Sequence, residues 1–434
     1  MSSQTPVIEL RDPLWGPIPV NRGELAVIDM PIFQRLRGIK QLGFAELTFP
    51  GAVHHRYLHS IGAMHIGGKL VSHVLGKTAL SETERRRLTQ LVRLAALLHD
   101  IGHPPLSHAA ESLLPDREAL TIMGRALGEG RATHEDMTLK LVADSDLTEV
   151  IDARFADVGI RAAHVAAIIG DHPGEQRDAF VILGLDWWPL LHAMVSGEMD
   201  VDRMDYLRRD SYFAGVEYGS YDQSWLISNA LMVQDGRSAR LGIGLRALPS
   251  FEHFLLARYH MFQMVYFHQR SDVYDQMLRN WLASVGDEAR FPADPEAYAR
   301  CNDAWLWARL AAFDDPWARR IREQRPYMLL TELRTEADRE RREEIAAALA
   351  GADLHTLWIT AKPVLSRYAQ SPQVLRTNPM LVVDRKPPFG HERRYRIEEV
   401  TDLFARYERT AVVERVYVAP EDRRRAREVL RSLA

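Results

Sequence analysis

The sequence predicts a mainly α fold with a small α+β region at its C-terminal end. Apolar residues recur at helical spacing through about the first two-thirds of the 434 residues. Runs rich in β-branched residues, at 380–383, 393–397 and 412–418, come only near the end. The content of 46% hydrophobic and 26% charged residues is typical of a globular protein.

The first 30 residues are predicted to form an arm on a helical core of residues 31–325. Asp12-Pro13 and Gly16-Pro17 favour turns and the short extended pieces of a small hairpin. A helix is predicted to begin at Pro31 and end at Gly43. Further helices are predicted at about 60–76, 84–99, 106–114, 134–144, 161–169, 187–194, 200–213, 222–232 and 250–284.

Residues 326–434 are predicted to form the α+β region. The charge-rich stretch 331–344 has the mixed signs of a solvated helix. After the β-branched runs, Pro420 opens a final helix.

Composition narrows the classes of function. The net charge of −4 gives no overall basic surface, so nucleic acid is not expected as the main partner. The single Cys301 excludes an intrachain disulfide framework and a cysteine-based zinc site, so any metal must bind histidine, aspartate or glutamate. No run of about 18 apolar residues and no signal-peptide pattern is present, so we expect a cytoplasmic protein without a membrane partner.

His99-Asp100 is the most informative pair in the chain. It ends the apolar run 91–98, which is typical of a buried helix, and Gly102 and the prolines after it stop that helix. Two metal-ligand types therefore lie at a helix terminus, where one cation can bind both. Taken alone, the pair is equally compatible with a structural histidine beside a capping or solvated aspartate.

Histidine and aspartate are concentrated at four places, residues 54–59, 99–108, 134–135 and 200–210. In this order they resemble the HD-domain phosphohydrolases, specifically the branch that hydrolyses deoxynucleoside triphosphates (dNTPs). The resemblance covers about residues 8–285 and implies an HD-domain helical core. The H…HD…D metal-ligand pattern of the superfamily falls on His59, His99, Asp100 and Asp202.

The resemblance implies a metal-dependent dNTP triphosphohydrolase that releases a deoxynucleoside and inorganic triphosphate. A divalent ion would activate water for attack on the α-phosphate. Imidazole and carboxylate ligands suit Fe, Mn, Zn, Ni or Mg, so the sequence leaves its identity open, and a second Mg would accompany the triphosphate. The alternatives are a phosphohydrolase of nucleoside mono- or diphosphates that releases phosphate, and a nucleotide-sensing module without turnover.

The resemblance also assigns roles around the metal. Arg56 corresponds to an arginine that contacts the triphosphate. The predicted catalytic residues are His103, His108, His134 and Asp202, with His108 as the acid that protonates the leaving 5′-oxygen. Glu111 stands where a relative carries aspartate, so an orienting role is not carried over to it.

Tyr206 and Asp210 follow Asp202 at helical spacing, so one helix face would present all three side chains. In the family these positions pack on the sugar and accept a hydrogen bond from its 3′-hydroxyl. Arg258 matches an arginine at the γ-phosphate, and Tyr266 a tyrosine at the base or sugar. The predicted substrate-binding residues are Gln41, Leu42, Arg56, Tyr206, Asp210, Arg258 and Tyr266.

Asp29, Gln34 and Arg37 match residues that bind an activating guanine nucleotide at a subunit interface in allosteric relatives. A phosphate-neutralising lysine of those relatives falls on Ile8 here. Ordinary polarity of a helix surface is the alternative explanation of these residues. The relatives imply a homo-oligomer, either a dimer or a tetramer.

Overall fold

A computed structural model describes residues 6–361, 380–385, 392–403 and 412–433. The chain opens with the predicted hairpin, in which β1 (Pro6–Asp12) pairs antiparallel with β2 (Gly16–Asn21). Oδ1 of Asp12 accepts hydrogen bonds from the backbone N–H groups of Leu14 and Trp15, each at 2.8 Å. This aspartate therefore fixes the turn between the two strands.

The body of the protein is helical, which confirms the predicted fold class. The side chains of residues 91–98 are buried apart from Arg93, as expected of a core helix. Among the described helices, none is both long and apolar enough to cross a membrane. The body contains α1 Arg22–Ile28, α2 Pro31–Gln34, α3 Arg56–Leu75, α4 Glu82–Leu98, α5 His134–Ala143, α6 Asp146–Arg154, α7 Ala162–Ile169, α8 Trp188–Ser196, α9 Val201–Ala214, α10 Gln223–Asn229, α11 Leu248–Met261, α12 Gln269–Val285, α13 Pro295–Tyr298, α14 Asp303–Ala312 and α15 Pro316–Arg322.

Strands also lie between the helices of this body, and further strands follow it. β9 (Met328–Leu333), β13 (Val413–Val418) and β10 (Thr356–Ala361) form an antiparallel sheet. β11 (Leu381–Asp384) pairs in parallel with β8 (Ser238–Gly244) of the helical body. The predicted division at residues 30 and 325 stays a prediction. The remaining elements are β3 Thr121–Ile122, β4 Arg125–Ala126, β5 Val181–Ile182, β6 Leu185–Asp186, β7 Ala230–Asp235, β8 Ser238–Gly244, β9 Met328–Leu333, α16 Glu336–Glu340, α17 Arg342–Gly351, β10 Thr356–Ala361, β11 Leu381–Asp384, β12 Arg393–Arg396, α18 Ile397–Val400, β13 Val413–Val418 and α19 Arg423–Ser432.

The helix predicted from Pro31 to Gly43 is wrong beyond Gln34. A 3₁₀ turn follows at Arg35–Gly38, and Ile39 is extended, with φ −121° and ψ 113°. The buried guanidinium of Arg35 donates to backbone oxygens of three distant residues, Ile101, His103 and Cys301, at 2.7–2.9 Å. These tertiary hydrogen bonds outweigh the local helical pattern.

Three other predicted helices and the predicted solvated helix at 331–344 also differ from the structure. The helix predicted at 222–232 ends at Asn229 and runs into the β7–β8 hairpin, and residues 331–333 lie in β9. The segment predicted as one helix at 250–284 is interrupted by a π-helical stretch, Phe262–Tyr266. The helix predicted at 106–114 is a 3₁₀ segment, Ser107–Leu113, entered through two residues with φ of 54° and 57°.

Candidate active site

The four predicted metal ligands converge on one point. His59 lies in the first turn of α3, His99 and Asp100 follow the end of α4, and Asp202 lies in the first turn of α9, which Asp200 caps. Nε2 of His59 lies 3.0 Å from Oδ1 of Asp202, 3.4 Å from Nε2 of His99 and 3.5 Å from Oδ2 of Asp100. Ligand atoms about 2.0–2.2 Å from a shared cation have separations of this size.

The hydrogen bonds of the two imidazoles support a cation at this point. Nδ1 of His99 lies 2.8 Å from the carbonyl oxygen of Ala96, and Nδ1 of His59 lies 2.9 Å from a carboxylate oxygen of Asp205. Both acceptors require a proton on Nδ1, so in the neutral rings the two Nε2 lone pairs face each other at 3.4 Å. A cation between them relieves this repulsion, so the residues fit a divalent metal.

The carboxylates around His59 and His99 also favour positive charge at this point. Burial lowers the pKa of His59, but hydrogen bonds to Asp202 and Asp205 raise it to about 10. Burial also lowers the pKa of His99, and the carboxylates of Asp100 and Asp202 outweigh that effect and raise it. Carboxylates that stabilise imidazolium this strongly also stabilise a bound cation.

Asp205 was given no role from the sequence, although it belongs to the 200–210 motif. It is fully buried, and Arg209 donates to both of its oxygens, at 2.7 and 2.9 Å. A Cβ atom at Gly62 would overlap this ion pair, so glycine is required where α3 passes it. The carboxylate therefore holds His59 in the tautomer and orientation that a metal needs.

Gly102 brings the next helix against the His-Asp pair. Its N–H donates to Oγ1 of Thr138 at 3.0 Å, and the Thr138 hydroxyl donates to the carbonyl oxygen of His99, also at 3.0 Å. A Cβ at residue 102 would overlap the backbone of α5. His134, at the start of α5, is thereby placed beside the metal site.

The three predicted catalytic histidines form a second cluster. The rings of His103 and His134 stack with centroids 3.9 Å apart and an angle of 15°, and His108 meets both edge-on. Their ligand atoms are close enough to one another for a metal site. However, a metal lies near the plane of each imidazole that binds it, and two nearly parallel planes do not share such a point. The stacked pair of His103 and His134 therefore does not fit one metal ion bound by both rings.

Glu111 orients two of these histidines. Its Oε1 lies 2.6 Å from Nδ1 of His134, and its Oε2 lies 3.5 Å from Nδ1 of His108. Nε2 of each ring is left for a ligand. Glutamate at this position thus makes the orienting contacts that the sequence comparison left unassigned.

Glu111→Gln is expected to change how stability depends on acid. Burial raises the pKa of Glu111, but hydrogen bonds with His108 and His134 outweigh it and lower the pKa below its usual value. A carboxyl group with a lowered folded-state pKa stabilises the fold above its unfolded pKa of about 4.3, and that contribution is lost as pH falls.

Thermal unfolding of both proteins between about pH 5 and pH 3 tests this prediction. The melting temperature of the wild type should fall more steeply with acid than that of the variant. Parallel curves would show that the carboxylate has no such role.

The metal site opens into a cavity of about 530 Å³. Nη1 of Arg56 donates to Asp100, and Nε of Arg56 donates to Oγ of Ser107 at 2.9 Å, so the guanidinium is fixed at the cavity wall. The cavity brings together all the predicted substrate-binding residues, namely Gln41, Leu42, Arg56, Tyr206, Asp210, Arg258 and Tyr266.

Asp210 is more constrained than the sequence indicates. Its Oδ2 accepts a hydrogen bond from the Tyr266 hydroxyl at 2.8 Å, and its Oδ1 lies 2.8 Å from Nε2 of His54. The Tyr206 ring meets Tyr266 edge-on at 6.0 Å. His54 was noted in the sequence but assigned no role, and it proves to be a buried partner of this carboxylate.

Other lining residues come from unexpected places. Ile359, Thr360 and Ala361 of β10 line the cavity although they lie far along the chain from the motifs. The guanidinium of Arg258 lies 5.0 Å from the ring centroid of Phe262. Oε1 of Gln41 is buried and has no hydrogen-bond partner among the described residues, so an acceptor remains for a ligand.

Asp29, Gln34 and Arg37 lie outside this cavity, at the surface around Tyr57. Gln34 accepts a hydrogen bond from Nε of Arg37 at 2.7 Å, and the Arg37 guanidinium lies 3.6 Å from the centre of the Tyr57 ring. Asp29 and Arg37 are exposed. The structure therefore brings the three residues to one surface.

Three helices thus deliver two imidazoles and two carboxylates to one point at the wall of a polar cavity, which defines a helical protein with a candidate His/Asp metal centre. Residues 56–210 match the HD domain family. This range begins at Arg56 and ends at Asp210, so it contains all four converging ligands. The resemblance to HD-domain phosphohydrolases of the dNTPase branch is confirmed.

The chain is also similar to individual proteins and to a solved structure. An uncharacterized protein of Mycoplasma genitalium is 30% identical over 267 residues, 60% of this chain and 56% of that protein. The deoxynucleoside triphosphate triphosphohydrolase SAMHD1 homolog of Dictyostelium discoideum is 34% identical over 213 residues, 48% of this chain and 36% of that protein. The crystal structure of a hypothetical protein from Aquifex aeolicus has a TM-score of 0.74 and 27% identity, covering 97% of this chain and 99% of that one. The chain spans about half the length of the curated relatives it matches.

Proposed function

We propose that this protein is a metal-dependent phosphohydrolase that cleaves dNTPs between the 5′-oxygen and the α-phosphorus. The products are a deoxynucleoside and inorganic triphosphate. The observation that carries the proposal is the convergence of His99, Asp100 and Asp202 on Nε2 of His59, at 3.0–3.5 Å, beside a cavity of about 530 Å³. Small-molecule sites have cavities of this size. Similarity to proteins named as dNTP triphosphohydrolases supports the choice of substrate.

His59, His99, Asp100 and Asp202 would hold the ion, which is Fe, Mn, Zn, Ni or Mg. When bound, it supplies Lewis-acid polarisation of a phosphoryl oxygen and activation of a water molecule. We assign a second Mg to the triphosphate itself, because a triphosphate carries several negative charges that the described arginines neutralise only in part.

The chain's own residues bind the phosphates and supply the proton. Arg56 is held by Asp100 and Ser107, and its remaining N–H groups would bind phosphate oxygens. Arg258 lines the same cavity and would add its positive charge. His103, His108 and His134 surround the α-phosphate. Since Glu111 contacts Nδ1 of His108, the imidazolium form of that ring would transfer its Nε2 proton to the leaving 5′-oxygen and become neutral.

The same cavity gives a physical basis for selecting deoxyribose. Tyr206 packs on the sugar, and Asp210, held by His54 and Tyr266, accepts a hydrogen bond from the 3′-hydroxyl. Gln41 and Leu42 close the opposite side. An apolar wall near the 2′ position would disfavour a hydroxyl group there, because a buried hydroxyl without a partner is costly.

The surface of Asp29, Gln34 and Arg37 is proposed as the site of a guanine-nucleotide activator between subunits of a homo-oligomer. Asp29 would accept hydrogen bonds from the N1 and N2 groups of guanine. The exposed Ile8 replaces the lysine expected near the effector phosphates, so such an effector would bind without that charge.

A nucleotide screen tests the proposed function. Metal-free protein resupplied with Mn, Fe, Co or Mg is incubated with each dNTP and rNTP, with and without added GTP or dGTP, and the products are separated by chromatography. We expect inorganic triphosphate from at least one dNTP. Intact dNTPs in every condition would overturn the proposal. Orthophosphate from nucleoside mono- or diphosphates would identify the alternative phosphohydrolase, and binding without turnover a sensing module.

A further inference from the structure

The N-terminal hairpin of β1 and β2 reaches the metal centre through a chain of buried polar contacts. His59 contacts Asp205 at 2.9 Å, and Asp205 accepts two hydrogen bonds from Arg209. Nη1 of Arg209 then donates to Oδ2 of Asp12, in the hairpin, at 2.9 Å. Each of these four side chains is less than a tenth exposed. A residue at the start of the chain is therefore connected to a metal ligand through two intermediates.

Trp15 makes a second, independent connection. Its Nε1–H donates to Oδ1 of Asp205 at 2.5 Å, so the hairpin contacts the carboxylate directly as well as through Arg209. The two carboxylate oxygens of Asp12 have different hydrogen-bond partners. Oδ1 accepts from the backbone of the hairpin turn, and Oδ2 accepts from Arg209. The conformation of the turn and the position of Arg209 are thus fixed by one carboxylate.

Loss of the hairpin contacts is expected to weaken metal binding. Arg209 is fully buried, and removing one partner of a buried ion pair leaves a charge without compensation. When the hairpin detaches, Arg209 loses Asp12, and Asp205 loses the Trp15 donor. Both losses loosen the carboxylate that orients His59. Residues that orient metal ligands typically change metal affinity about 10- to 100-fold when they are altered.

We propose that the hairpin is a positioning element of the metal centre, so that hairpin docking and metal binding stabilise each other. Asp12 and Trp15 are positioning residues that act on His59 through Asp205 and Arg209. Linkage is reciprocal, so the factor by which docking tightens metal binding is also the factor by which metal tightens docking. The inference rests on the metal site of the proposed function and not on the identity of the substrate.

The test compares Asp12→Asn and Trp15→Phe with Arg11→Gln in the full chain. Asparagine keeps the acceptor for the turn but loses the charge that faces Arg209, and phenylalanine keeps a ring but loses the N–H. Arg11 is exposed on the same hairpin, which makes it the matched control. Mn²⁺ affinity is measured by calorimetry, and metal content by elemental analysis. We expect about tenfold weaker Mn²⁺ binding in the first two variants and unchanged binding in the control.

Hydrogen exchange of residues 8–20 in the wild type gives the reciprocal readout. Mn²⁺ should slow exchange in the hairpin by a factor similar to the loss of affinity, and thermal unfolding in chelator identifies any variant that is misfolded. Equal Mn²⁺ affinity in all four proteins, with hairpin exchange insensitive to Mn²⁺, would overturn the inference while leaving the metal site in place. A wild type that binds no divalent metal would overturn the metal site itself, and this inference with it.

Discussion

Asp202→Asn is expected to lower dNTP hydrolysis by more than about 100-fold and to weaken metal binding at least as much. The reason is geometric. Oδ1 of Asp202 lies 3.0 Å from Nε2 of His59 and 3.3 Å from Nε2 of His99, so it completes the ligand set. Alteration of partners outside the ligand set already costs about 10- to 100-fold, and loss of a ligand costs more. Asparagine has nearly the same size, so packing of α9 is preserved.

Elemental analysis and initial rates measure the two effects together. Asp171→Asn is the matched control, because Asp171 is an exposed aspartate outside the cavity and the same change of charge should leave metal content and rate unchanged. An Asp202→Asn protein with the metal content and rate of the wild type would contradict the assignment of this carboxylate as a ligand.

Gly62→Ala is expected to destabilise the fold by about 3–5 kcal/mol, the range for breaking a buried ion pair. The new methyl group would occupy the space of Oδ1 of Asp205 and Nη2 of Arg209. Both side chains are fully buried, so neither has a route into solvent. The ion pair must therefore separate, or α3 must move away from α9. Either change also disturbs His59, so metal affinity should fall with stability.

Gly67→Ala provides the control on the same helix. The three atoms nearest to a Cβ at residue 67 would be side-chain atoms of Val92, Ala96 and Val201, at 3.4–3.8 Å, which is ordinary van der Waals contact. Alanine favours a helix over glycine by about 1 kcal/mol, so this variant should be as stable as the wild type or more so. Chemical denaturation measures both variants. Similar stabilities for Gly62→Ala and Gly67→Ala would refute the packing argument.

The helical fold class was accessible from the sequence because apolar periodicity is a local signal. The His99-Asp100 pair was placed correctly at the end of a buried helix for the same reason: the residues that terminate it lie within a few positions. His59 and Asp202 lie far from this pair in the sequence, so local patterns do not predict that they meet it. Only the resemblance to a family predicted that contact.

Other features depend on contacts between distant parts of the chain. Asp205 shows its role only when α9 lies against α3, and Ile359 reaches the cavity only through β10. The β7–β8 hairpin was missed because a short apolar run does not distinguish a strand from the end of a helix. The stacking of His103 on His134, which does not fit one metal ion bound by both rings, requires ring orientations that spacing does not contain.

Hydrolysis in ¹⁸O-labelled water tests the central claim most directly. The protein is loaded with metal and incubated with the dNTP that the screen identifies, and the products are analysed by ³¹P NMR and mass spectrometry. Attack on the α-phosphorus with cleavage of the bond to the 5′-oxygen predicts one ¹⁸O atom in inorganic triphosphate and none in the deoxynucleoside. Label in orthophosphate or pyrophosphate, with a deoxynucleotide as the other product, would contradict the proposed reaction.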